Sequence, residues 1–306
     1  MDSSTFTFTD ADGVEIFVYK WLPDDGNPKA IVQISHGMAE HAGRYERFAD
    51  VLTNGGYGVY ANDHRGHGKT ALGEDKQGQL GPNGWDGAVK VMKQLTDTIK
   101  QEFPGVPVFL FGHSWGSFMT QNYIERWGSE LKGAVLSGTV GKNPLLKLAP
   151  MLGKGDIKKN GPNATGGKLE NMTVVALNKS FEPAKTPKDW LSRDEAEVEK
   201  YIADPFCGKP FPNSFYLDLV NMLLNSWNKK NEQKIPKDLP ILLVAGTRDP
   251  VGNFTKGVKP LADRYKKYGI KDVTTKFYEG ARHETLNETN RDEVMKDFLA
   301  WFDAHL

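Results

Sequence analysis

VFLFGHSWGSF, residues 108–118, joins an apolar run to Gly112-x-Ser114-x-Gly116 and then to a stretch able to begin a helix. Val108 to Phe111 suit a short strand buried on both faces. Gly112 and Gly116 have no Cβ, so strand and helix can approach closely and Ser114 can take a strained backbone conformation. A serine hydroxyl is a poor nucleophile unless the chain holds it at such a bend beside a base. The five-residue pattern alone fits an ordinary glycine-rich loop equally well. Strand before and helix after are what favour a strand–turn–helix elbow.

Outward from this elbow, strands and helices alternate. Residues 5–9 and 14–22 read as a hairpin around the turn Asp10–Gly13. Strands are expected at 30–35, 57–62, 107–111, 132–138, 240–246 and 273–278, and helices at 44–55, 84–102, 116–128, 254–268 and 289–304. The pattern predicts one eight-stranded, mostly parallel α/β sheet with helices on both faces. Alternation stops over 139–236, which holds short helical patterns, GPNATGGK and proline-rich loops. A structureless loop of that length is improbable. The expected division is therefore a core of 1–138 and 237–306 with 139–236 as an inserted, mostly helical cap.

Composition narrows the function. The chain has 306 residues, with Lys+Arg and Asp+Glu both 39, so its formal net charge is zero. This gives no support for nucleic acid as a partner. No apolar run approaches the roughly 18 residues that span a bilayer. The N-terminus MDSSTFTFTDADG lacks the basic and apolar regions of a secretory signal, so a cytoplasmic location is the default. Cys207 is the single cysteine, and its setting ADPFCGKPF reads as a loop, not as a thiol nucleophile.

A serine elbow needs an imidazole base, a carboxylate to orient it, and two backbone N–H groups for the oxyanion. In open α/β sheets such groups sit just past the carboxyl ends of strands. ILLVAG runs into Thr247-Arg248-Asp249-Pro250, and TTKFYEG into Ala281-Arg282-His283-Glu284. Asp249 could be a plain turn aspartate and His283 a plain loop histidine. Ser114, Asp249 and His283 on three strand ends, in that order, form a nucleophile–acid–base series much harder to obtain by chance. Glu284 adjoins His283 and should point elsewhere, while Asp218 falls in the cap. The oxyanion donors expected are the backbone amides of Trp115 and of Met38, in the loop after AIVQIS. His113 should pack under the elbow. Asp63-His64-Arg65-Gly66-His67-Gly68 lacks metal-ligand spacing and reads as a hydrogen-bonded loop bracing the site floor. No metal and no cofactor are expected.

HGMAEHAGRY (36–45), NDHRGHGKT (62–70), GHSWGSF (112–118), GTRDPVG (246–252) and GARHETLNE (280–288) together resemble the α/β hydrolases grouped as monoacylglycerol lipases and lysophospholipases, which overlap the serine aminopeptidase class. The resemblance covers the whole chain. It implies an α/β-hydrolase fold, Ser114 as nucleophile, Asp249 and His283 as partners, and Met38 and Trp115 as oxyanion donors. The family usually has Met after the serine where this chain has Trp115, and a smaller residue is common at Met38. The expected activity is hydrolysis of short- or medium-chain acyl esters, monoacylglycerol- or lysophospholipid-like, through an acyl-enzyme.

The cap segments PLLKLAPML and FYLDLVNMLLNSW offer Leu145, Leu146, Leu148, Met151, Phe215 and Met222 as substrate-binding candidates, although packing against the core explains them as well. Transient contact of the cap with lipid aggregates is compatible with its composition. An aminopeptidase would need cap acids, and Glu195, Glu197 and Glu199 read as a solvated helix face. A C–C bond hydrolase or acyltransferase could use the same triad, and a non-enzymatic binding protein is the alternative of another class. A dehalogenase or epoxide hydrolase would carry Asp at the elbow. The oligomeric state is not legible.

Overall fold

The computed structural model describes residues 1–71 and 76–306. The chain opens with a hairpin of β1 (Asp2–Thr9) and β2 (Glu15–Leu22). The Asp10 carboxylate accepts the Asp12 and Val14 amides to shape its turn, and Gly13 takes the positive φ that the turn requires. There follow β3 (Ala30–Ser35), α1 (Glu46–Asn54), β4 (Tyr57–Asn62), α2 (Gly84–Glu102), β5 (Val108–His113), α3 (Trp115–Trp127) and β6 (Gly133–Ser137). The next stretch carries α4 (Ala149–Asn160), α5 (Lys168–Thr173), α6 (Glu195–Ala203), α7 (Asn213–Ser226) and α8 (Lys229–Glu232). Alternation resumes with β7 (Ile241–Gly246), α9 (Lys259–Lys267), β8 (Val273–Tyr278) and α10 (Arg291–Ala304).

The eight strands form one sheet in the order β1-β2-β4-β3-β5-β6-β7-β8. β1, β2 and β4 pair antiparallel in succession, and every later pairing is parallel. This is the α/β-hydrolase arrangement that the sequence predicts. Along β5, Val108 and Leu110 enter one apolar core while Phe109 and Phe111 enter the other. That alternation follows from the two-residue period of a strand. One core lies under α2, α3, α7 and α9, and the second under α1 and α10. With both faces covered, β3, β4, β5, β6 and β7 are buried along their whole length. Register pairs Ser35 with Gly112, His113 with Ser137, and Gly246 with Tyr278. The carboxyl ends of the central strands therefore finish together at one edge.

One helix boundary differs from the sequence reading. A helix is expected from 254, but α9 begins at Lys259. Asn253, Phe254 and Thr255 all have positive φ. These turns fold the chain back over Asp249, whose carbonyl accepts the Phe254 amide at 2.8 Å and whose Oδ1 accepts the Val251 amide at 2.9 Å. Demands of the Asp249 loop override local helix propensity here.

Gly116 is the tightest point at which strand and helix meet. A Cβ there would fall inside van der Waals contact of the Ser35 and His36 carbonyl oxygens, and backbone cannot retreat as a side-chain tip can. Gly116→Ala is therefore expected to cost about 2–3 kcal/mol or more. Chemical denaturation of the variant beside the wild type measures the loss, and an unchanged midpoint would disprove the packing constraint.

Candidate active site

Ser114 sits between β5 and α3 with φ 51° and ψ −121°, outside the common regions for a residue with a side chain. Its amide donates to the Ser137 carbonyl at 2.8 Å, and the Ser117 hydroxyl donates to the Ser114 carbonyl at 2.6 Å. Neighbouring strand and helix thus both hold the strained residue. Trp115 is the first residue of α3, so its amide has no intrahelical acceptor.

Asp249 and His283 meet although 34 positions separate them. His283 Nδ1 lies 3.0 Å from Asp249 Oδ1, and both residues are almost fully buried. Among the described residues, His283 Nε2 and Asp249 Oδ2 have no hydrogen-bond partner. Burial depresses the His283 imidazolium, but the Asp249 carboxylate outweighs it and the pKa ends above the ordinary histidine value. His113 packs against it with ring centroids 4.8 Å apart. Burial and the neighbouring His283 push His113 down to about 4, so it stays neutral.

A buried ion cluster braces these loops. Glu40 Oε1 accepts the Gly37 amide at 2.5 Å and the Tyr45 hydroxyl at 2.9 Å. Arg44 reaches Glu40 Oε2 at 2.5 Å and grips Glu284 through two bonds of 2.8 Å. Glu284 is thus engaged with Arg44, its pKa held down to about 2 against the effect of burial. The cluster ties the loop after β3 to the loop carrying His283. Glu40 and Arg44 both lie within HGMAEHAGRY. Their spacing of four was the available signal.

The loop after β4 is hydrogen-bonded as expected. Asp63 accepts the Ala42 and Lys69 amides, and Arg65 pairs with Asp10 and Asp12. His36 accepts the His64 amide through Nε2 at 3.0 Å, and burial drives it down to about 3. His64 and His67 are likewise depressed by burial. The Trp115 indole lies in this cluster, stacked on His67 at 4.7 Å and touching His64, Trp85 and Phe215. Its side chain packs inward, away from the cavity at Ser114. Among the described residues, His41, Asp204 and Cys207 bring donor atoms within 4.8 Å of one another. Burial pushes the Cys207 thiol well above its ordinary value, so it stays protonated.

Ser114, His283, Met38 and His113 share a cavity of about 130 Å³. Its far wall comes from the segment between β6 and β7, including Glu170, Val174, Lys188, Trp190, Leu191 and Tyr201. Trp190 packs on His283 at 4.9 Å, and the Tyr201 hydroxyl donates to the Ala39 carbonyl at 2.8 Å. These wall residues were not anticipated. None of the described apolar candidates from the same segment reaches this wall. Phe215 is buried against Trp115 and His67, and Met222 is buried along α7. Leu146 is half-buried against the core, while Leu148 and Met151 are each 67% exposed. The Leu145 side chain lies outside the described set. Asp218 lies on a separate groove with Asn83 and Asn122.

Similarity to known proteins agrees with this geometry. Residues 26–290 match the family model described as "Serine aminopeptidase, S33". Mouse monoglyceride lipase is 32% identical over 95% of this chain and 88% of its own length. The monoacylglycerol lipase of Mycolicibacterium smegmatis is 30% identical over 99% of this chain and 98% of its own. The crystal structure of a thermostable carboxyl esterase from Bacillus coagulans superposes with a TM-score of 0.91 at 30% identity, covering 99% of each chain. By family model, by sequence and by fold, the chain belongs to the serine aminopeptidase S33 family of α/β hydrolases, alongside the monoglyceride lipases.

Proposed function

We propose that the protein is a serine carboxylic ester hydrolase acting on acyl esters of small polar alcohols. The observation that carries this reading is the buried Asp249–His283 pair, whose Nε2 has no partner among the described residues, in the cavity that also exposes Ser114. Ser114 attacks the ester carbonyl while His283 Nε2 takes its proton. The Met38 and Trp115 amides receive the charge that develops on the oxygen, and the N-terminus of α3 favours the same charge. His283 then protonates the leaving alcohol and activates water to release the acid. Asp249 orients the imidazole and stabilises its charged form.

Residues 139–236 act as a cap in this reading, since they supply the outer wall of the cavity. Its small volume favours short- and medium-chain acyl groups. Leu148, Met151, Met172 and Val175 are all exposed on this segment, beside Lys147 and Lys154. Apolar residues among lysines suit transient contact with a lipid aggregate. Names of the relatives support the ester reading: monoglyceride lipases in sequence, and a carboxyl esterase holding glycerol in structure. Two of the cap acids considered for an aminopeptidase, Glu195 and Glu197, are engaged elsewhere. Glu195 pairs with Lys185, and Glu197 with Arg47 and Lys200.

Three outcomes follow. Ser114→Ala is expected to lower kcat on p-nitrophenyl butyrate on the order of 10⁶-fold and to abolish labelling by a fluorophosphonate probe. Retained turnover would reject the mechanism. Butyrate and octanoate esters are expected to exceed palmitate in kcat/KM, and the reverse order would reject the small-cavity argument. The neutral imidazole is the active form, so activity falls as pH drops through the raised His283 pKa. Asp249→Asn removes the charge that raises it and leaves burial dominant. The acid limb of the kcat/KM profile should then shift to lower pH while kcat drops roughly 10⁴-fold. An acid limb that stays in place would show that Asp249 does not set the histidine.

A further inference from the structure

We infer that Lys188 selects acyl esters whose leaving alcohol carries a negative charge. The inference rests on the ester-hydrolase reading above and narrows its substrate class.

Lys188 lines the same cavity as Ser114 and His283. Its backbone is fixed on both sides, with its amide donating to Thr186 Oγ1 at 3.1 Å and its carbonyl accepting from Leu191 at 3.0 Å. The turn is in turn sewn to the loop of the base. The Trp190 carbonyl accepts the His283 amide at 3.3 Å, and the Leu191 carbonyl accepts the Glu284 amide at 2.8 Å. An ammonium on this turn is therefore held in register with the reacting groups.

Its charge lacks a counter-ion. Among the described residues no carboxylate forms an ion pair with Lys188, and every nearby acid is engaged with another group. Glu40 and Glu284 share Arg44, Asp204 pairs with His41 at 3.0 Å, and Glu170 accepts the Gly166 amide at 2.6 Å. The Tyr201 ring, 5.8 Å from Nζ, is the further cation-stabilising contact. Burial accordingly draws the Lys188 ammonium below the ordinary lysine value, with Glu170 on the same cavity wall and Cys207 opposing the change. A half-buried cation without an ion pair is partly desolvated at a cost, and an anionic group on a bound molecule lowers that cost.

The polarity of the cavity indicates which end of the ester meets the lysine. Val174, Leu191 and Trp190 offer apolar surface to an acyl chain, while Glu170, Tyr201, Lys188 and Lys209 share the wall with Gly208. The Gly208 amide and the Tyr201 hydroxyl both bind the Ala39 carbonyl, at 2.9 and 2.8 Å, so this wall adjoins the loop that carries Met38. An ester with its carbonyl oxygen at the Met38 amide and its chain on the apolar side presents its alcohol to Lys188. A neutral glycerol leaves the charge unanswered, whereas a phosphate or carboxylate on that alcohol answers it with a charge-assisted hydrogen bond.

The test compares octanoyl esters below their aggregation concentrations: 1-octanoylglycerol, 1-octanoylglycerol 3-phosphate and 3-octanoylglycerate. The wild type is expected to favour an anionic ester over 1-octanoylglycerol at least tenfold in kcat/KM. Lys188→Met should erase most of that ratio, chiefly through KM of the anionic ester, and Lys188→Arg should keep it. Preference for both anions assigns recognition to charge alone, and preference for the phosphate alone assigns it to a phosphoryl group. A wild-type ratio of one or below, or a ratio unchanged in Lys188→Met, overturns the inference. Hydrolysis of p-nitrophenyl octanoate separates the two readings. If it proceeds without anionic preference, only the role of Lys188 fails. If it and all three octanoyl esters are inert, the ester-hydrolase reading itself fails.

Discussion

Everything at the carboxyl edge of this sheet depends on how closely α3 approaches β3. Gly116 lies against the Ser35 and His36 carbonyls with no room for a Cβ, and Gly112 lies equally close to Thr120 and Ser117. With strand and helix pressed together, Ser114 has to turn between them at positive φ. Such a conformation costs on the order of 1–3 kcal/mol and persists only where the surroundings over-determine it. Here they do, through the Ser137 carbonyl on one side and Ser117 on the other. The same approach brings the start of α3 beside the loop after β3. The Trp115 amide and the Met38 loop therefore come from one packing constraint.

The second constraint is electrostatic. Arg44 stands between Glu40 and Glu284, two acids that belong to different loops and are both nearly inaccessible to water. Breaking such a buried cluster by removing one member leaves an uncompensated charge, which is far more costly than the cluster is stabilising. Its effect is geometric. Glu40 fixes the Gly37 amide, and Arg44 holds Glu284, the residue next to His283. Movement of the loop after β3 is thereby coupled to movement of the proposed base. A rigid scaffold brings the elbow and the Asp249 strand end together, and this cluster sets the remaining loop against them.

The frame was legible in the sequence because its signals are local. Apolar runs such as VFLFG and ILLVAG have few alternatives to buried parallel strands, and residues at their carboxyl ends follow by rule. Ser114, Asp249 and His283 could therefore be named, and the structure brings Asp249 and His283 into contact. The start of α9 was misread because the turns over Asp249 answer to a hydrogen bond that no local propensity encodes. The segment over the cavity was the least legible. An apolar stripe says that a helix face is buried but not against what, and Phe215 and Met222 spend theirs on the core. Trp190, Tyr201 and Lys188 meet the site through contacts with chain dozens of positions away, and nothing in their neighbours announces it.

Trp115 shows how the core and the proposed cap are joined. Its indole is stacked on His67 and meets Phe215 of α7, so one residue beyond the strained serine is pinned by the cap helix above it. The histidines in that stack are kept uncharged by burial, which lets an aromatic cluster form where three imidazolium charges would repel. α7 is thus anchored over the elbow, and its Tyr216 reaches the cavity at Ser114. The rest of the far wall comes from the 170–174 and 188–210 stretches, and Leu191 and Trp190 of the latter hydrogen-bond to the His283 loop. Anchored helix and most of the far cavity wall are separate parts of the 139–236 segment. Substitutions in the 188–210 stretch can therefore alter what is bound without disturbing the packing that holds Ser114 in place.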